Sequence, residues 1–193
     1  FSKVSVFSDL NNLTDLTMER GCATLLGYTQ EELEASFAEY IDRLANRQGT
    51  TPEETLRDLR DWYNGYRFHP EAEAVYNPVS VMKCFMAEEY GNYWFETGTP
   101  SFLIELLREK PLNLADLTVP ESAFATYDVT RLAPLPLLVQ TGYLTIRDVV
   151  QEGRRRMYRL GYPNYEIEES FSLWVTQGFC GIGPDDISSS LSR

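Results

Sequence analysis

Helix-start signals recur along the first 110 residues, and they constrain the fold more than any other feature of the chain. In a capping box, a Thr hydroxyl and a Glu carboxylate three residues later satisfy free amides of the first helical turn. Proline is tolerated at that turn because its missing amide would lack a partner there anyway. The signals are a capping box, Thr29 to Glu32, a helix start at Thr51-Pro52-Glu53-Glu54 with proline and acids in its first turn, and two cap-proline pairs, Asn77-Pro78 and Thr99-Pro100. They predict a small helical bundle.

Apolar residues at helical spacing follow these starts and set the expected extents of the helices. The first helix is predicted to run to about Asn46 and to stop at Gly49, and the second to end at Gly65. The third follows Asn77, and the fourth is predicted over residues 100–109. Together they give a helical subdomain over about residues 20–110.

The second part of the chain has a different pattern. Residues 111–127 are predicted to be irregular, and residues 128–141 to be helical with a break or restart at Pro134 and Pro136. Alternating segments over 143–150 and 155–160 flank a turn and predict one β-hairpin. An amphipathic helix is expected over 165–178, before a Gly- and Ser-rich tail over 179–193. The expected fold class is mainly α, with a helical bundle followed by a winged-helix-like subdomain over 111–178.

Composition excludes several classes of function. The chain has 17 Lys and Arg against 29 Asp and Glu, a net charge of −12, which disfavours general nucleic-acid binding because phosphates need cationic partners. It has one histidine, His69, and its three cysteines, Cys22, Cys84 and Cys180, form no CxxC pair. No phosphate-loop motif, signal peptide or membrane-spanning apolar run occurs in it. A cytoplasmic protein without a metal site is therefore expected.

Seven strings in a fixed order resemble a large bacterial family of predicted P-loop ATPases, in which an AAA-ATPase-like domain often precedes a PD-(D/E)XK nuclease-like domain. They extend over residues 1 to about 178 and are 1–17, 27–33, 62–68, 76–80, 93–101, 140–146 and 162–164. The longest begins Phe1-Ser-Lys-Val-Ser-Val-Phe-Ser-Asp-Leu, and another reads Trp-Tyr-Asn-Gly-Tyr-Arg-Phe. The sequence departs from the family at Asp9, where Gly is usual, and at the two prolines in 134–136.

The resemblance implies that this chain is one part of a larger ATPase. The family's phosphate loop and Mg-binding strand lie upstream of the first string, and its nuclease carboxylates lie downstream of the last. Residues 1–19 would be a strand and loop left from the ATPase core, residues 20–110 the helical lid, and residues 111–178 the connector. ATP and Mg would bind only in the full-length protein, whose phosphate-loop core and nuclease-like domain are the expected partners in cis. The chain alone is expected to have no catalytic activity.

Nucleotide contacts are expected at three places. Gly98-Thr99-Pro100 resembles a lid-helix start that packs on adenine in related ATPases, although a plain loop-to-helix junction gives the same pattern. The Arg67 guanidinium suits nucleotide phosphates, and the alternative is a stem packed on its aromatic neighbours with its head paired to an acid. Lys3 lies just after the region where such ATPases sense the γ-phosphate.

The only dense basic cluster contains Arg154, Arg155, Arg156 and Arg159, on the predicted hairpin. Arg154 and Arg156 are candidates for contact with DNA phosphates, as in a winged helix. Strand alternation sends Arg155 to the opposite face, which divides the patch. The other interpretation is that these arginines pair with acids of the protein itself or protect an edge strand. The alternative to the ATPase lid is therefore a standalone winged-helix interaction or DNA-binding module.

Overall fold

The fold was analysed in a computed structural model that describes residues 16, 18–94, 105, 107–109, 112, 117–120 and 134–180. Within these residues the chain is mainly α-helical and contains one small antiparallel sheet. A short 3-10 helix, Arg20–Cys22, precedes the first α-helix. The expectation of a mainly α fold with a β-hairpin is confirmed at this level.

The first four α-helices begin and end close to the sequence signals. They are α1 (Gln30–Ser36), α2 (Ala38–Gln48), α3 (Pro52–Tyr63) and α4 (Pro78–Ala87). The predicted capping box forms at Thr29, a second one forms at the helix start predicted at Thr51, and the Asn77 side chain accepts the amides of the first turn of α4. The left-handed C-cap at Gly49, with φ of 71°, ends α2 as expected.

The prediction of one continuous first helix is wrong at Phe37. This residue leaves the helical region with φ of −123° and ψ of 20°, and it separates α1 from α2. Its ring packs at 5.1 Å from Tyr28 and 5.6 Å from Phe85, measured between ring centroids. Aromatic packing in the bundle core therefore favours a bend that helical periodicity does not reveal.

Three strands form the sheet, in the order β1-β3-β2. They are β1 (Leu117–Pro120), β2 (Thr145–Glu152) and β3 (Arg155–Gly161), and both pairs are antiparallel. The hairpin was predicted, but its strands extend to Glu152 and resume at Arg155, so the turn is Gly153-Arg154 rather than 151–153. β1 lies in the segment predicted to be irregular, because four residues ending in proline carry almost no strand signal.

Two further helices flank the hairpin. α5 (Pro134–Gln140) lies within the segment predicted to be helical, and its two prolines occupy the first turn of the described part, where amides need no helical partner. Residues 128–133 lie outside the described residues, so the predicted break or restart stays a prediction. α6 (Tyr165–Cys180) follows β3 as predicted. Of the predicted fourth helix, residues 105 and 107–109 are helical, and residues 95–104 lie outside the described residues.

The buried side chains form three clusters. One lies inside the bundle and includes Leu33, Leu59, Tyr63, Cys84 and Phe85. One lies under the sheet and consists of Val119, Ile146, Tyr158 and Leu160. The third joins the two regions, because Tyr66 and Val75 pack with α5, α6 and the segment between α5 and β2 through Leu137, Leu138, Tyr143, Leu144, Ile167 and Phe171.

Candidate functional site

The end of α3 contacts the start of α6 closely enough to exclude a side chain. Gly65 has φ of 106°, and a Cβ built on it would overlap the carbonyl oxygen of Pro163. Next to it, the Asn164 side-chain amide donates to the carbonyl of Asn64 at 2.9 Å, while the Asn164 Oδ1 accepts the amide of Ile167 at 3.1 Å. This contact, which we call the junction, fixes the position of the bundle against α6.

A cleft of about 830 Å³ opens beside the junction. Three arginines from separate elements line it: Arg60 on α3, Arg67 in the segment after α3, and Arg147 on β2. Asp61 and Glu168 also line the cleft. Three arginines therefore line one cleft in a chain with a large net negative charge.

Arg67 is held by the sheet rather than by an acid. Its backbone amide donates to Thr145 Oγ1 at 2.8 Å, and its Nη1 donates to the carbonyl of Arg147 at 3.3 Å. Its Nε is enclosed and has no acceptor among the described residues. No described carboxylate forms an ion pair with Arg67. The alternative interpretation of Arg67 included an ion pair with an acid, and the described residues contain no such pair.

The other two cleft arginines are also oriented by neutral oxygens. Arg60 Nε donates to the side-chain oxygen of Gln30 at 3.2 Å, and Arg147 Nη1 donates to the carbonyl of Pro163 at 3.2 Å. Within the described ranges, neither forms an ion pair. Sequence reasoning missed both residues, since Arg60 and Arg147 are 87 positions apart and only the fold brings them to one cleft.

The hairpin arginines are partly neutralised within the protein. Arg156 pairs with Glu71 at 3.3 Å, and the same carboxylate pairs with Arg20 at 3.3 Å. Arg159 pairs with Asp148 at 3.8 Å. Arg154 is exposed in the hairpin turn, and Arg155 is exposed at the start of β3. The internal pairing that was weighed against DNA contact is therefore observed for Arg156 and Arg159.

A buried carboxylate at the start of α6 was not foreseen. Glu166 has no exposed surface, and it accepts the Ser80 hydroxyl of α4 at 2.7 Å and the amide of Trp94 at 2.6 Å. Acids are common in the first turn of a helix, so the position of Glu166 does not indicate that it is buried. Glu166 thereby ties α6 to α4 and to the segment that precedes Gly98-Thr99-Pro100.

Burial raises several pKa values in the bundle. Cys84 is buried, and the loss of hydration raises its pKa to about 12, so the thiol is uncharged at neutral pH. Burial likewise raises the pKa of Tyr63, whose hydroxyl donates to the carbonyl of Gly91 at 3.1 Å. These groups support packing and offer no nucleophile. His69 accepts the amide of Glu71 through Nδ1 at 3.1 Å, in a loop as expected.

Several predicted site residues lie outside the described residues, namely Lys3, Gly98, Thr99 and Pro100. In the part of the chain that is described, no three His, Cys, Asp or Glu side chains are grouped so as to hold a metal ion. Nor does any described helix have the length and apolar content needed to cross a bilayer.

The chain is similar to a curated protein from Azotobacter chroococcum mcd 1, described as an "Uncharacterized protein in vnfD 5'region". The two are 38% identical over 175 residues, which cover 89% of this chain and 32% of that protein. The chain thus spans about a third of the length of the curated relative that it matches. No protein-family model matches the chain, and no solved structure matches it.

Proposed function

We propose that this chain is the lid and winged-helix-like part of a larger cytoplasmic P-loop ATPase. In the full-length protein it closes over ATP and couples nucleotide state to a downstream nuclease-like domain. In this proposal Mg is held by the phosphate-loop core of the full-length protein. The chain alone has no catalytic activity.

The cleft beside the junction is the observation that carries this proposal. Arg67, which the family-like string Trp-Tyr-Asn-Gly-Tyr-Arg-Phe singles out, lines that cleft with two further arginines. A planar guanidinium binds phosphate oxygens through two parallel hydrogen bonds, and no described carboxylate forms an ion pair with Arg67, although Asp61 and Glu168 line the same cleft. To bind nucleotide phosphates, a lid arginine needs a backbone held in place and a guanidinium without an ion-pair partner, and Arg67 has both within the described part of the chain.

The strand order supports the winged-helix-like part of the proposal. In the order β1-β3-β2, the first strand pairs with the last strand of the hairpin, and α5 lies between β1 and β2 in the chain. A winged helix has this arrangement, with the hairpin as its wing. The length of the relative also agrees with a larger protein, because about two thirds of that relative has no counterpart in this chain.

The junction supplies a physical route for coupling. Because Gly65, Asn64 and Asn164 join the bundle to α6, movement of the bundle toward a nucleotide moves α6 with it. Glu166 adds a second connection, to Ser80 and Trp94. A lid connected in this way transmits its closure to the sheet and to any domain that follows α6.

The test is ATP hydrolysis by the full-length protein with Arg67→Ala. We expect kcat to fall by on the order of 100-fold, as when a donor to transition-state charge is removed. Arg57→Ala is the matched control, because Arg57 is an exposed arginine on α3 that pairs only weakly, at 3.9 Å, with Glu54. Equal activity in the two variants, or a native reading frame without a phosphate loop upstream, would refute the proposal.

A DNA-binding assay separates this proposal from the standalone module. We expect the isolated chain to show no salt-dependent affinity for duplex DNA, because Glu71 already engages Arg156. Affinity that disappears in the Arg154→Ala, Arg156→Ala double variant would favour the DNA-binding module instead. Glu71→Gln frees Arg156 and is the variant in which such affinity would be greatest.

A further inference from the structure

We infer that the cleft lined by Arg60, Arg67 and Arg147 is itself a binding site for a compact polyphosphate, meaning the diphosphate or triphosphate group of a small molecule. The inference rests on the proposed function for the role of Arg67 in the full-length protein. Beyond the proposed function, it assigns Arg60 and Arg147 to the site and names the class of ligand. It also states that the chain binds this ligand without the phosphate-loop core.

The cleft arginines have no ion-pair partner among the described residues. Five other arginines form ion pairs, at Arg20, Arg43, Arg57, Arg156 and Arg159, and the described arginines that also lack one, Arg47, Arg154 and Arg155, are exposed. Asp61 and Glu168 line the same cleft without pairing with its three arginines. The cleft therefore has an excess of positive charge, which a bound anion would neutralise.

Their hydrogen bonds orient the arginines without satisfying them. The three guanidinium groups each donate to one neutral oxygen, of Gln30, of Arg147 and of Pro163. A guanidinium has five N–H donors, so most remain for a ligand. The enclosed Nε of Arg67 lacks any described acceptor, and a shift of this side chain onto an anion would satisfy it.

The surroundings favour a compact anion over a nucleic acid. Asp61 and Glu168 line the same cleft, and a neighbouring surface groove is lined by Glu31, Glu34 and Glu73. An extended polyanion would have to cross these carboxylates, whereas a compact di- or triphosphate can contact the arginines without crossing the neighbouring groove. The cleft volume of about 830 Å³ suits a small molecule.

An aromatic side chain at the cleft separates two sources of such phosphates. Tyr165 lines the cleft with 46% of its surface exposed, and its ring meets Trp62 edge-on at a centroid distance of 4.7 Å. A fixed, partly exposed ring can stack on a nucleoside base. The ligand is thus an inorganic polyphosphate or a nucleoside polyphosphate, and Tyr165 distinguishes them.

The experiment is calorimetric titration of the isolated chain at low salt, without Mg, using pyrophosphate and ATP as separate probes. We expect both to bind at one site, with affinity reduced about 10-fold or more in an Arg67→Ala, Arg147→Ala double variant. Arg60→Gln, at an exposed position of α3, gives a smaller loss and does not disturb the junction. The control is an Arg43→Ala, Arg57→Ala double variant, which removes the same charge elsewhere. Thermal unfolding of each variant verifies that it is folded.

The outcomes divide clearly. Equal affinity for pyrophosphate and ATP supports the site and indicates an inorganic polyphosphate as its ligand. If ATP binds more tightly and Tyr165→Ala removes the difference, the site is supported and its ligand is a nucleoside polyphosphate. Absence of binding, binding unchanged by the cleft variants, or displacement of the probe by duplex DNA overturns the inference. Loss of ATPase activity in full-length Arg67→Ala together with no binding here would retain the proposed function and refute only this site.

Discussion

The bundle and the sheet region are specified by contacts of very different range. In the bundle, Thr29 and Thr51 cap their helices through bonds to residues three positions away. In the sheet region, β1 depends on β3, where Leu117 faces Leu160, and Asn164 reaches back to Asn64. The bundle is thus organised by neighbours in sequence, while the cleft exists only when distant segments have met.

The largest expected effect comes from breaking the contact between the two regions. Gly65→Ala places a methyl group against the Pro163 carbonyl at a positive φ, and we expect a loss of about 3 kcal/mol or more in unfolding free energy. The matched control is Gly49→Ala, also at positive φ but with open space around it, which should cost about 1 kcal/mol. Urea unfolding measures both, and equal losses would mean that the junction contributes nothing beyond backbone strain.

A second test targets the buried link between α6 and the bundle. Glu166→Ala leaves the Ser80 hydroxyl and the Trp94 amide without their acceptor, and should cost about 2 kcal/mol. Glu168→Ala, on an exposed face of the same helix, should change stability by about 0.5 kcal/mol or less. Hydrogen exchange at the Trp94 amide would show the local release, and unchanged protection there would contradict the role given to Glu166.

The smallest effect is expected at a helix cap within the bundle. Thr51→Ala removes the acceptor for the Glu54 amide and should cost about 1 kcal/mol in urea unfolding. Thr50→Ala is a nearby control, because Thr50 bonds to the Thr55 hydroxyl and caps no helix. A large loss of β-sheet circular dichroism in Thr51→Ala would contradict the view that the bundle is organised by local contacts and the sheet by distant ones.

The same cap gives a pH dependence of known sign. Hydrogen bonds from the Thr51 backbone and side chain lower the pKa of Glu54 below its usual 4.5. Its contribution to stability is therefore present above that pH and is lost as the pH falls through the folded-state pKa. Glu54→Gln should remove this dependence, whereas Thr51→Ala keeps the bond from the Thr51 backbone amide and should reduce it only in part. Unfolding measured between about pH 5 and pH 3 would detect the change.

Sequence reasoning succeeded where the signal was local. Thr51, Asn77 and Gly49 mark helix ends through their own side chains or backbone freedom, and the structure follows them. It failed at Phe37 and at β1. The bend at Phe37 depends on aromatic packing, and the strand β1 depends on its partner β3, where Leu117 faces Leu160.

The candidate site shows the same limit. Arg67 was identified from its motif, and the structure gives it a cleft, but Arg60 and Arg147 carried no signal because their proximity depends on the fold. Glu166 had none either, since burial of an acid follows from what packs over it. Lys3 and Gly98-Thr99-Pro100 lie outside the described residues and stay predictions.

The hydrogen bond from Asn164 to Asn64 has a consequence for how the protein is made. The two residues are 100 positions apart, so when a ribosome has released the bundle, the partner of Asn64 has yet to be synthesised. The capped helices can form during that interval, whereas the cleft must wait for the hairpin and α6 to emerge and close a long loop. Chains halted before residue 164 should therefore have folded helices without the cleft, a state in which ribosome-bound intermediates are exposed to proteases and chaperones.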